Sequence, residues 1–491
     1  MVTMMGKRSK LADEEETCRG YAGVAECTSG VDAEGRATSL RPLDLSSPHT
    51  QAFHLAWLSL FACFFAAFAA PPILPALRPA LVLSPSSSDV PNAAVASLSA
   101  TLVGRLAMGP ACDLLGPRRA SGLASLLAAL AVAVAASAAS SPAGFVALRF
   151  VSGLSLANFV ANQHWTSRVF SPSSVGLANA VAAGWANAGS AAAQLVMPVA
   201  YDLVALRLGV PVTVAWRVTY LLLPCVLLVA TGLAVLAFPY SGDVGGEAKK
   251  TAARERCFWE VVRGGVGDYR AWVLALTYGY CYGVELIMEN VAAEFFRKRF
   301  RLGMEEAGAA AACFGAMNAV ARPAGGMASD AVARVFGVRG RLWALWAVQT
   351  AGAAMCVVVG RMGAAEAPSL AATVAVLVAC AAFVQAASGL TFGVVPFVSK
   401  RSLGVVSGMT ASGGAVGAIV TNRLFFSGSR YTIEEAISLT GVASLICTLP
   451  LALVHFPRHG GMLWGPTRTA AGEDSDDDED ANDHGDYALL K

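Results

Sequence analysis

The stretch Arg105-Leu-Ala-Met-Gly-Pro-Ala-Cys-Asp-Leu-Leu-Gly-Pro-Arg-Arg119 closes one apolar run and opens the next. The second half of the chain repeats its spacing in Arg322-Pro-Ala-Gly-Gly-Met-Ala-Ser-Asp330, where glycine again follows arginine by four residues and aspartate follows glycine by four. Such a pattern at corresponding positions of two halves indicates internal duplication, which is common in polytopic membrane proteins.

Composition predicts that the chain lies mostly in a membrane. Of 491 residues, 55% are hydrophobic and 14% are charged, against about 25% charged in a soluble protein. Apolar runs of about 20 residues, enough to cross the hydrocarbon layer, recur along the chain. We therefore predict an all-α polytopic membrane protein of twelve transmembrane helices in two pseudo-symmetric six-helix bundles. The predicted spans are 53–75, 90–112, 120–140, 143–166, 176–203, 214–239, 270–291, 306–328, 341–361, 369–396, 403–425 and 435–456.

These spans divide the chain into five segments. They are a cytoplasmic N-terminal segment (1–50), the first bundle (51–240), a cytoplasmic central loop (241–269), the second bundle (270–456) and an acidic disordered cytoplasmic tail (457–491). Most basic residues between spans fall on the side of both termini, which the positive-inside rule makes cytoplasmic. The cluster from Arg297 to Arg301 lies opposite and violates that rule. The acidic run Glu473–Asp480 is typical of a solvated tail, with a regulatory or docking role as the alternative.

Several functional classes are excluded. A formal net charge of +2 gives no basis for nucleic-acid binding, and the 11 cysteines show neither CxxC pairs nor zinc spacing, so we predict no metal site and no cofactor. The sequence contains no P-loop, no HExxH and no GxSxG. It therefore favours transport driven by an ion gradient over an enzyme or an ATP-driven pump.

Arg105 and Arg322 are the first candidate site residues. Eight residues of helix separate Arg105 from the membrane edge at Asp113, about 12 Å, which puts its guanidinium near the bilayer centre. A charge at that depth costs at least about 2.5 kcal/mol. Two such arginines facing one cavity would repel each other until an anion lay between them, and the guanidinium fork matches a planar oxyanion. Alternatively, each arginine pairs with a helix carboxylate or with backbone carbonyls.

Two glycine-rich segments occupy equivalent spans and add candidates. Gly184 and Gly189 in span five correspond to Gly408 and Gly413 in span eleven. Glycine is a poor helix former, by about 1 kcal/mol against alanine, but it permits close approach and exposes polar backbone. Asn187 lies between the first pair and is able to donate to a bound anion. Close packing of helices by small residues is an equal alternative.

Further charges and aromatics lie inside the predicted spans. Arg149 and Glu285 are candidates for proton coupling, with structural pairing equally open. Glu289 and Glu294 are expected nearer the outer edge and in contact with water. Tyr278 and Tyr282 are candidates for a cavity wall.

Gly109-Pro-Ala-Cys-Asp-Leu-Leu-Gly-Pro-Arg-Arg119 resembles the GxxxDxxGxRR signature of the major facilitator superfamily, and Arg149-Phe-Val-Ser-Gly153 resembles a second pattern of that family. The resemblance to its nitrate/nitrite porter branch, and to plant high-affinity nitrate transporters within it, is closer. It rests on Phe53-His-Leu-Ala-Trp, Phe68-Ala-Ala-Pro-Pro, Ala183-Gly-Trp-Ala-Asn187 and the long segment from Gly389 to Gly414. It runs from about Leu40 to Met462.

The resemblance implies a fold of two bundles alternating about a central site, with nitrate between Arg105 and Arg322 and with Asn187 as the matching asparagine. It also implies a conformational-gate loop formed by Gly109, Asp113, Gly116, Arg118 and Arg119, with Asp330 as the counterpart in the second half. Plant members commonly need a small single-span accessory protein at the plasma membrane. This chain departs from the family in carrying Ala186, Ala188, Ser190, Ala191 and Ala192 where glycine is more usual.

The functional prediction is proton-coupled nitrate import across the plasma membrane by alternating access. Bringing one anion into a cell at negative potential costs about 2.3 kcal/mol per 100 mV, so one proton only cancels the charge and a second makes the potential favourable. The alternatives are transport of nitrite or another small anion, and a nitrate sensor without net transport.

Overall fold

The computed structural model describes residues 30–32, 35–84, 88–171, 174–239, 262–366, 369–399, 402–428 and 430–465. Most of the predicted N-terminal segment and central loop, and the acidic run Glu473–Asp480, lie outside these residues. The described residues form twelve long helical segments. In the first half they are α1 (Pro48–Ala80), α2 (Asp89–Leu115), α3 (Pro117–Ala138), α4 (Pro142–Val169), α5 (Val175–Arg207) and α6 (Val212–Ala237).

The second half contains α7 (Tyr269–Phe300), α8 (304–336), α9 (338–364), α10 (Leu370–Phe397), α11 (Leu403–Thr421) and α12 (Ile433–Leu453). Helices α8 and α9 follow each other directly and are separated by the non-helical residue Gly337, where φ is 61°. The sequence predicts two spans here with a loop between them. The structure has two helices joined at a single residue, because a glycine with positive φ turns the chain without a longer loop.

Glycine positions show that the two halves share one packing plan. A Cβ added to Gly153 of α4 would lie 2.1 Å from the Ser97 carbonyl oxygen of α2, and one added to Gly325 of α8 would lie 2.2 Å from that of Ala386 in α10. In the same way Gly189 brings α5 against α1, and Gly413 brings α11 against α7. Equivalent helices therefore contact through bare backbone in each half, and membrane helices associate by such close packing because lipid gives no hydrophobic drive.

Five helices carry irregular turns near mid-membrane depth, one of which is the π-helical turn Leu221–Cys225 in α6. α1 is interrupted at 68–70, before the 3₁₀ turn Pro71–Ile73, and α4 contains the 3₁₀ turn Ser155–Ala157. α7 is interrupted at 280–281 and α8 at Met317. Irregular backbone at this depth is tolerated only where it is buried in protein or lines a cavity. The interruptions therefore mark the part of the molecule in which a site is to be sought.

The chain outside the helices is also ordered in places. The main chain of Ala37 donates to Val169 and accepts from Ser171, so the segment before α1 docks beside the end of α4. Across the predicted bundle boundary at 456, His455–Phe456 pairs with Gly460–Gly461 of the predicted tail in a two-stranded antiparallel hairpin. Trp343 of α9 donates to the main chain of Met462 at 3.3 Å, which fastens this hairpin to the second half.

The basic cluster that violates the positive-inside rule has local partners. Lys298 pairs with Glu294 one turn earlier, at 2.8 Å. Arg299 donates to the carbonyls of Gly363 and Ala365 at the end of α9, where a helix leaves its last carbonyls without intrahelical donors. These contacts stabilise at least two of the basic side chains on the side of the membrane that the positive-inside rule disfavours.

Close packing at Gly417 makes a stability prediction. An added Cβ there would lie 2.1 Å from the carbonyl oxygen of Gly279, whereas at Gly408 in the same helix it would meet nothing within 4 Å. Gly417→Ala should lower the apparent melting temperature of the purified protein, because overpacking costs about 1–3 kcal/mol. Gly408→Ala, the matched control, should not. Equal melting temperatures for the two variants would contradict this packing.

Candidate functional site

Arg105 of α2 lies at the centre of the molecule, 6% exposed. Its guanidinium donates to the carbonyl oxygen of Ala411 in α11 at 3.1 Å and to the hydroxyl of Tyr282 in α7 at 3.3 Å. The guanidinium carbon is 4.9 Å from the ring centroid of Phe159 in α4. Its buried Nε has no hydrogen-bond partner, and among the described residues no carboxylate pairs with it. Arg105 is thus a buried cation held by neutral groups.

Arg322 of α8 is 3% exposed and has a different set of partners. It forms an ion pair with Glu285 of α7 at 2.8 Å, and it donates to Asn318 at 3.2 Å and to the Tyr278 hydroxyl at 3.3 Å. Asn318 also donates to the second oxygen of Glu285 at 2.7 Å. Both oxygens of the carboxylate are therefore occupied, and Arg322 is neutralised where Arg105 is not.

Tyr282 joins the two arginines. The guanidinium carbon of Arg105 is 5.6 Å from its ring centroid and that of Arg322 is 5.4 Å. The ring stacks on Tyr278 with centroids 5.2 Å apart, and Phe392 of α10 meets Tyr278 edge-on at 5.3 Å. Aromatic faces attract cations most strongly where water is excluded. Both predicted tyrosines and both predicted arginines thus form one cluster, which we call the arginine site.

The contacts also match the alternative of structural pairing, because Arg322 pairs with a helix carboxylate and Arg105 with a backbone carbonyl. Structural pairing and an anion site are compatible. Glu285 pairs only with Arg322, so Arg105 has no ion-pair partner among the described residues. A buried charge without a counter-ion is costly, and a monovalent anion would remove that cost.

Helix α5 borders the arginine site through Gly184. A Cβ at Gly184 would lie 2.5 Å from the carbonyl oxygen of Asn318, so α5 and α8 meet beside Arg322. Asn187 lies one turn further along α5 and is fully buried. Its amide nitrogen donates to Ala183 at 2.7 Å, and its oxygen has no partner. In this structure the Asn187 amide nitrogen is therefore engaged within its own helix.

The other predicted glycines lie elsewhere. Gly189 packs against Phe61 of α1 and Gly413 against Ala275 of α7, so each provides close approach of helices inside one half. Gly408 faces open space, since a Cβ added there would have no other atom within 4 Å. Gly189 and Gly413 therefore match the alternative that small residues serve close packing of helices. They contribute to the arginine site only through the helices that they position.

Arg149, predicted as a proton-coupling candidate with structural pairing as the equal alternative, makes hydrogen bonds to two other helices. It donates to the carbonyl of Ala67 in α1 and, at 2.5 Å, to the side-chain oxygen of Asn290 in α7. The Ala67 carbonyl would ordinarily accept from the residue four positions later, but that residue is Pro71, which has no N–H. Arg149 satisfies this carbonyl, and because arginine does not release its proton in proteins, we assign it a positioning role.

The predicted gate-loop residues fasten helices within each half. Gly116 connects α2 to α3 with φ 79°, and Arg118 donates to three carbonyls at the end of α6, those of Val235, Leu236 and Phe238, at 3.0–3.1 Å. Arg119 is exposed, nothing lies within 4 Å of a Cβ at Gly109, and the side chain of Asp113 lies outside the described part of the structure. In the second half Asp330 pairs with Arg341 at 2.8 Å, across the kink between α8 and α9.

Sequence reasoning missed Glu289. It was expected near the outer edge and in contact with water, but it is 4% exposed. Ser190 of α5 donates to its Oε1, and Gln194 donates to its main-chain oxygen at 2.7 Å. Its position four residues after Glu285 was a usable signal, because residues at that spacing share a helix face. Asn318, four residues before Arg322, could have been found in the same way.

Polar contacts between the halves also occur at the end of the molecule opposite the start of α1 and the end of α12, which we call the distal end. Arg78 pairs with Glu294 at 2.6 Å, and Arg423 donates to Asn92 at 2.9 Å. A cavity of about 380 Å³ opens there, lined in part by Arg78, Arg149, Asn290 and Glu294. The arginine site is thus separated from the distal end by contacts that join the two halves.

Comparisons with known proteins agree with this architecture. The family model described as the Major Facilitator Superfamily matches residues 56–421. A probable high-affinity nitrate transporter 2.4 of Oryza sativa subsp. japonica is 77% identical, with 99% of each chain covered. The high affinity nitrate transporter 2.7 of Arabidopsis thaliana is 47% identical, with 92% of each covered. A bacterial homolog of the human lysosomal transporter Spinster, solved inward-facing and unoccupied, has a TM-score of 0.58 at 16% identity, covering 83% of this chain and 96% of its own.

The contacts of Arg118 predict a difference between neighbouring arginines. Arg118→Ala removes a charged donor from three carbonyls at the end of α6, and a lost hydrogen bond of this kind costs about 1.5–3 kcal/mol. The apparent melting temperature of the purified protein should fall. Arg119→Ala changes an exposed side chain and should leave that temperature unchanged. The same fall in both variants would show that the basic pair acts through charge alone.

Proposed function

The chain belongs to the major facilitator superfamily and, within it, to the plant high-affinity nitrate transporter family, and from that premise we propose that it imports nitrate together with protons across the plasma membrane. It is a membrane transport protein and not an enzyme. The observation that carries the proposal is the arginine site. In it, Arg105 and Arg322 both lie against the ring of Tyr282, and one carboxylate, that of Glu285, pairs with Arg322.

Nitrate fits the chemistry of this site. It is planar and carries a single negative charge, and each guanidinium offers a planar fork of donors to such an oxyanion. The buried Nε of Arg105 has no partner and is a donor available to a ligand. The faces of Tyr282 and Phe159 cover the arginines with apolar surface, which strengthens the electrostatic attraction of an anion by excluding water.

Proton coupling follows from competition for Arg322. Glu285 and nitrate are both anions and both bind the guanidinium fork, so each weakens the binding of the other. A proton on Glu285 removes its charge and releases Arg322 for nitrate. Because binding linkage is reciprocal, bound nitrate equally favours the protonated carboxyl. In this scheme nitrate and a proton occupy the site together.

Alternating access would require the contacts at the distal end to separate and re-form. We propose that the distal end faces outward and that both chain termini are cytoplasmic, because the basic residues of the opposite end, such as Arg118, Arg119 and Arg334, follow the positive-inside rule. A small single-span accessory protein is included in the proposal because the family commonly requires one.

The planar geometry of the guanidinium group predicts the effect of replacing either site arginine by lysine. Arg105→Lys and Arg322→Lys keep the charge but lose planar two-donor binding, and each should lower nitrate uptake about tenfold or more at matched surface expression. Arg207→Lys, at an exposed position near the end of α5, is the control and should transport normally. Full uptake by Arg322→Lys would contradict nitrate binding at the arginine site.

The competition with Glu285 predicts a change in pH dependence. Nitrate affinity of the purified wild-type protein should rise as pH falls, because protonation of Glu285 frees Arg322. Glu285→Gln is permanently uncharged, so its nitrate affinity should be at least that of the wild type at neutral pH and should vary less with pH than that of the wild type. Glu366→Gln, at an exposed position, should keep the wild-type profile. An unchanged profile in Glu285→Gln would exclude Glu285 as the coupling group.

The overall proposal is tested by current in voltage-clamped oocytes when nitrate is added at acidic external pH, with and without a plant accessory protein. Inward current that grows as pH falls is expected, and nitrite in competition with labelled nitrate measures selectivity. Absence of both current and uptake, with surface expression verified, would favour the sensor without net transport.

A further inference from the structure

Glu289 is a buried acid that proton coupling through Glu285 leaves unused. It lies one turn beyond Glu285 on α7, on the side that faces α5 of the other half. Ser190 donates to one of its oxygens, and the other, Oε2, is buried with no hydrogen-bond partner. Within the described residues it forms no ion pair, because the fork of Arg322 is bound to Glu285.

The charges that face Glu289 do not neutralise it. Glu285 and Tyr282 lie on its own helix, and Arg322 faces it from α8, while α5 contributes only the neutral Ser190 and Gln194. A carboxylate buried without a counter-ion is costly, and two carboxylates one turn apart share a single arginine here. Protonation of Glu289 would remove this charge and turn an acceptor-only group into one that donates.

We infer that Glu289 is the second proton-carrying group of the transport cycle and that its contact with α5 shields it from water. This inference rests on the proposed function. It supplies the group needed for two protons per nitrate, one on Glu285 and one on Glu289, which makes import carry one net positive charge. Both protons enter as H⁺ from one side and leave as H⁺ on the other, and no bond within the protein is made or broken apart from those to the two carboxyl groups.

The position of Glu289 on the seam between the halves explains how its proton would be held and released. Ser190 and Gln194 both approach from α5, and a Cβ added to Gly315 of α8 would lie 3.0 Å from the Ser190 hydroxyl oxygen. When the halves are together at this level, Glu289 is enclosed. When they separate, both α5 contacts are lost and the carboxyl group meets water. Its access to protons therefore changes with the same motion that exposes nitrate.

The test is the ratio of charge to nitrate, measured as current and labelled nitrate uptake in the same voltage-clamped oocytes. The wild type is expected to move about one positive charge per nitrate. Glu289→Gln should retain uptake driven by the pH gradient while its charge ratio falls to near zero, and Glu289→Asp, which keeps an acid, should restore the ratio. The exposed control Glu366→Gln should behave as the wild type.

A ratio near one in Glu289→Gln would overturn the inference, and so would a ratio near zero in the wild type, although nitrate transport itself would stand. Absence of wild-type uptake would instead overturn the proposed function, and this inference with it. If the Glu289 variants do not reach the surface, Ser190→Ala provides the measurement, because alanine already occupies Ala186, Ala188 and Ala191 of the same helix. It should shift the pH of half-maximal uptake, and an unchanged pH profile would overturn the inference.

Discussion

The structure is organised around two guanidinium groups that are buried against one tyrosine. One carboxylate pairs with only one of them. Arg322 has Glu285, whereas Arg105 has a carbonyl, a hydroxyl and two aromatic faces. Neutral groups lower the cost of a buried cation but do not cancel its charge. Arg105 is therefore a buried cation without an ion-pair partner among the described residues. The irregular turns in α4, α7 and α8 lie next to Phe159, Tyr282 and Asn318, the residues that complete it.

Small residues allow the helices to pack closely around the arginine site. In each half, equivalent helix pairs contact backbone to backbone, as at Gly153 and Gly325, so each half is packed tightly within itself. The two halves also meet through bare backbone, because a Cβ added to Gly308 of α8 would lie 2.2 Å from the carbonyl oxygen of Gln194 in α5. Small residues thus bring helices close both within each half and where α5 packs on α8.

The sequence was sufficient for features that depend on one helix and insufficient for those that depend on two. Arg105 and Arg322 could be placed at the same depth from the sequence, because depth along a helix follows from residue count, and the structure has both in one buried cluster. The burial of Glu289 could not be predicted in this way, because that count does not tell which helix covers a face. The partner of Arg149 is a carbonyl 82 positions away that is unsatisfied only because Pro71 lacks an N–H. The absence of a loop between α8 and α9 depends on the backbone conformation of Gly337.

Several side chains that contact the other half also keep a partner in their own half, which makes the crossing contact easier to break and re-form. Glu294 loses Arg78 when the distal end opens but keeps Lys298, one turn away on its own helix. Arg149 loses Asn290 and keeps the carbonyl of Ala67, while Asn290 keeps that of Leu286. Ser190 loses Glu289 and keeps the carbonyl of Asn187. Of the two carboxylates named here, Glu294 keeps a partner from its own half, whereas Glu289 keeps no side-chain partner among the described residues. A charge gained or lost by protonation is thus most strongly tied to the motion at Glu289, because water or a proton must replace what α5 supplied.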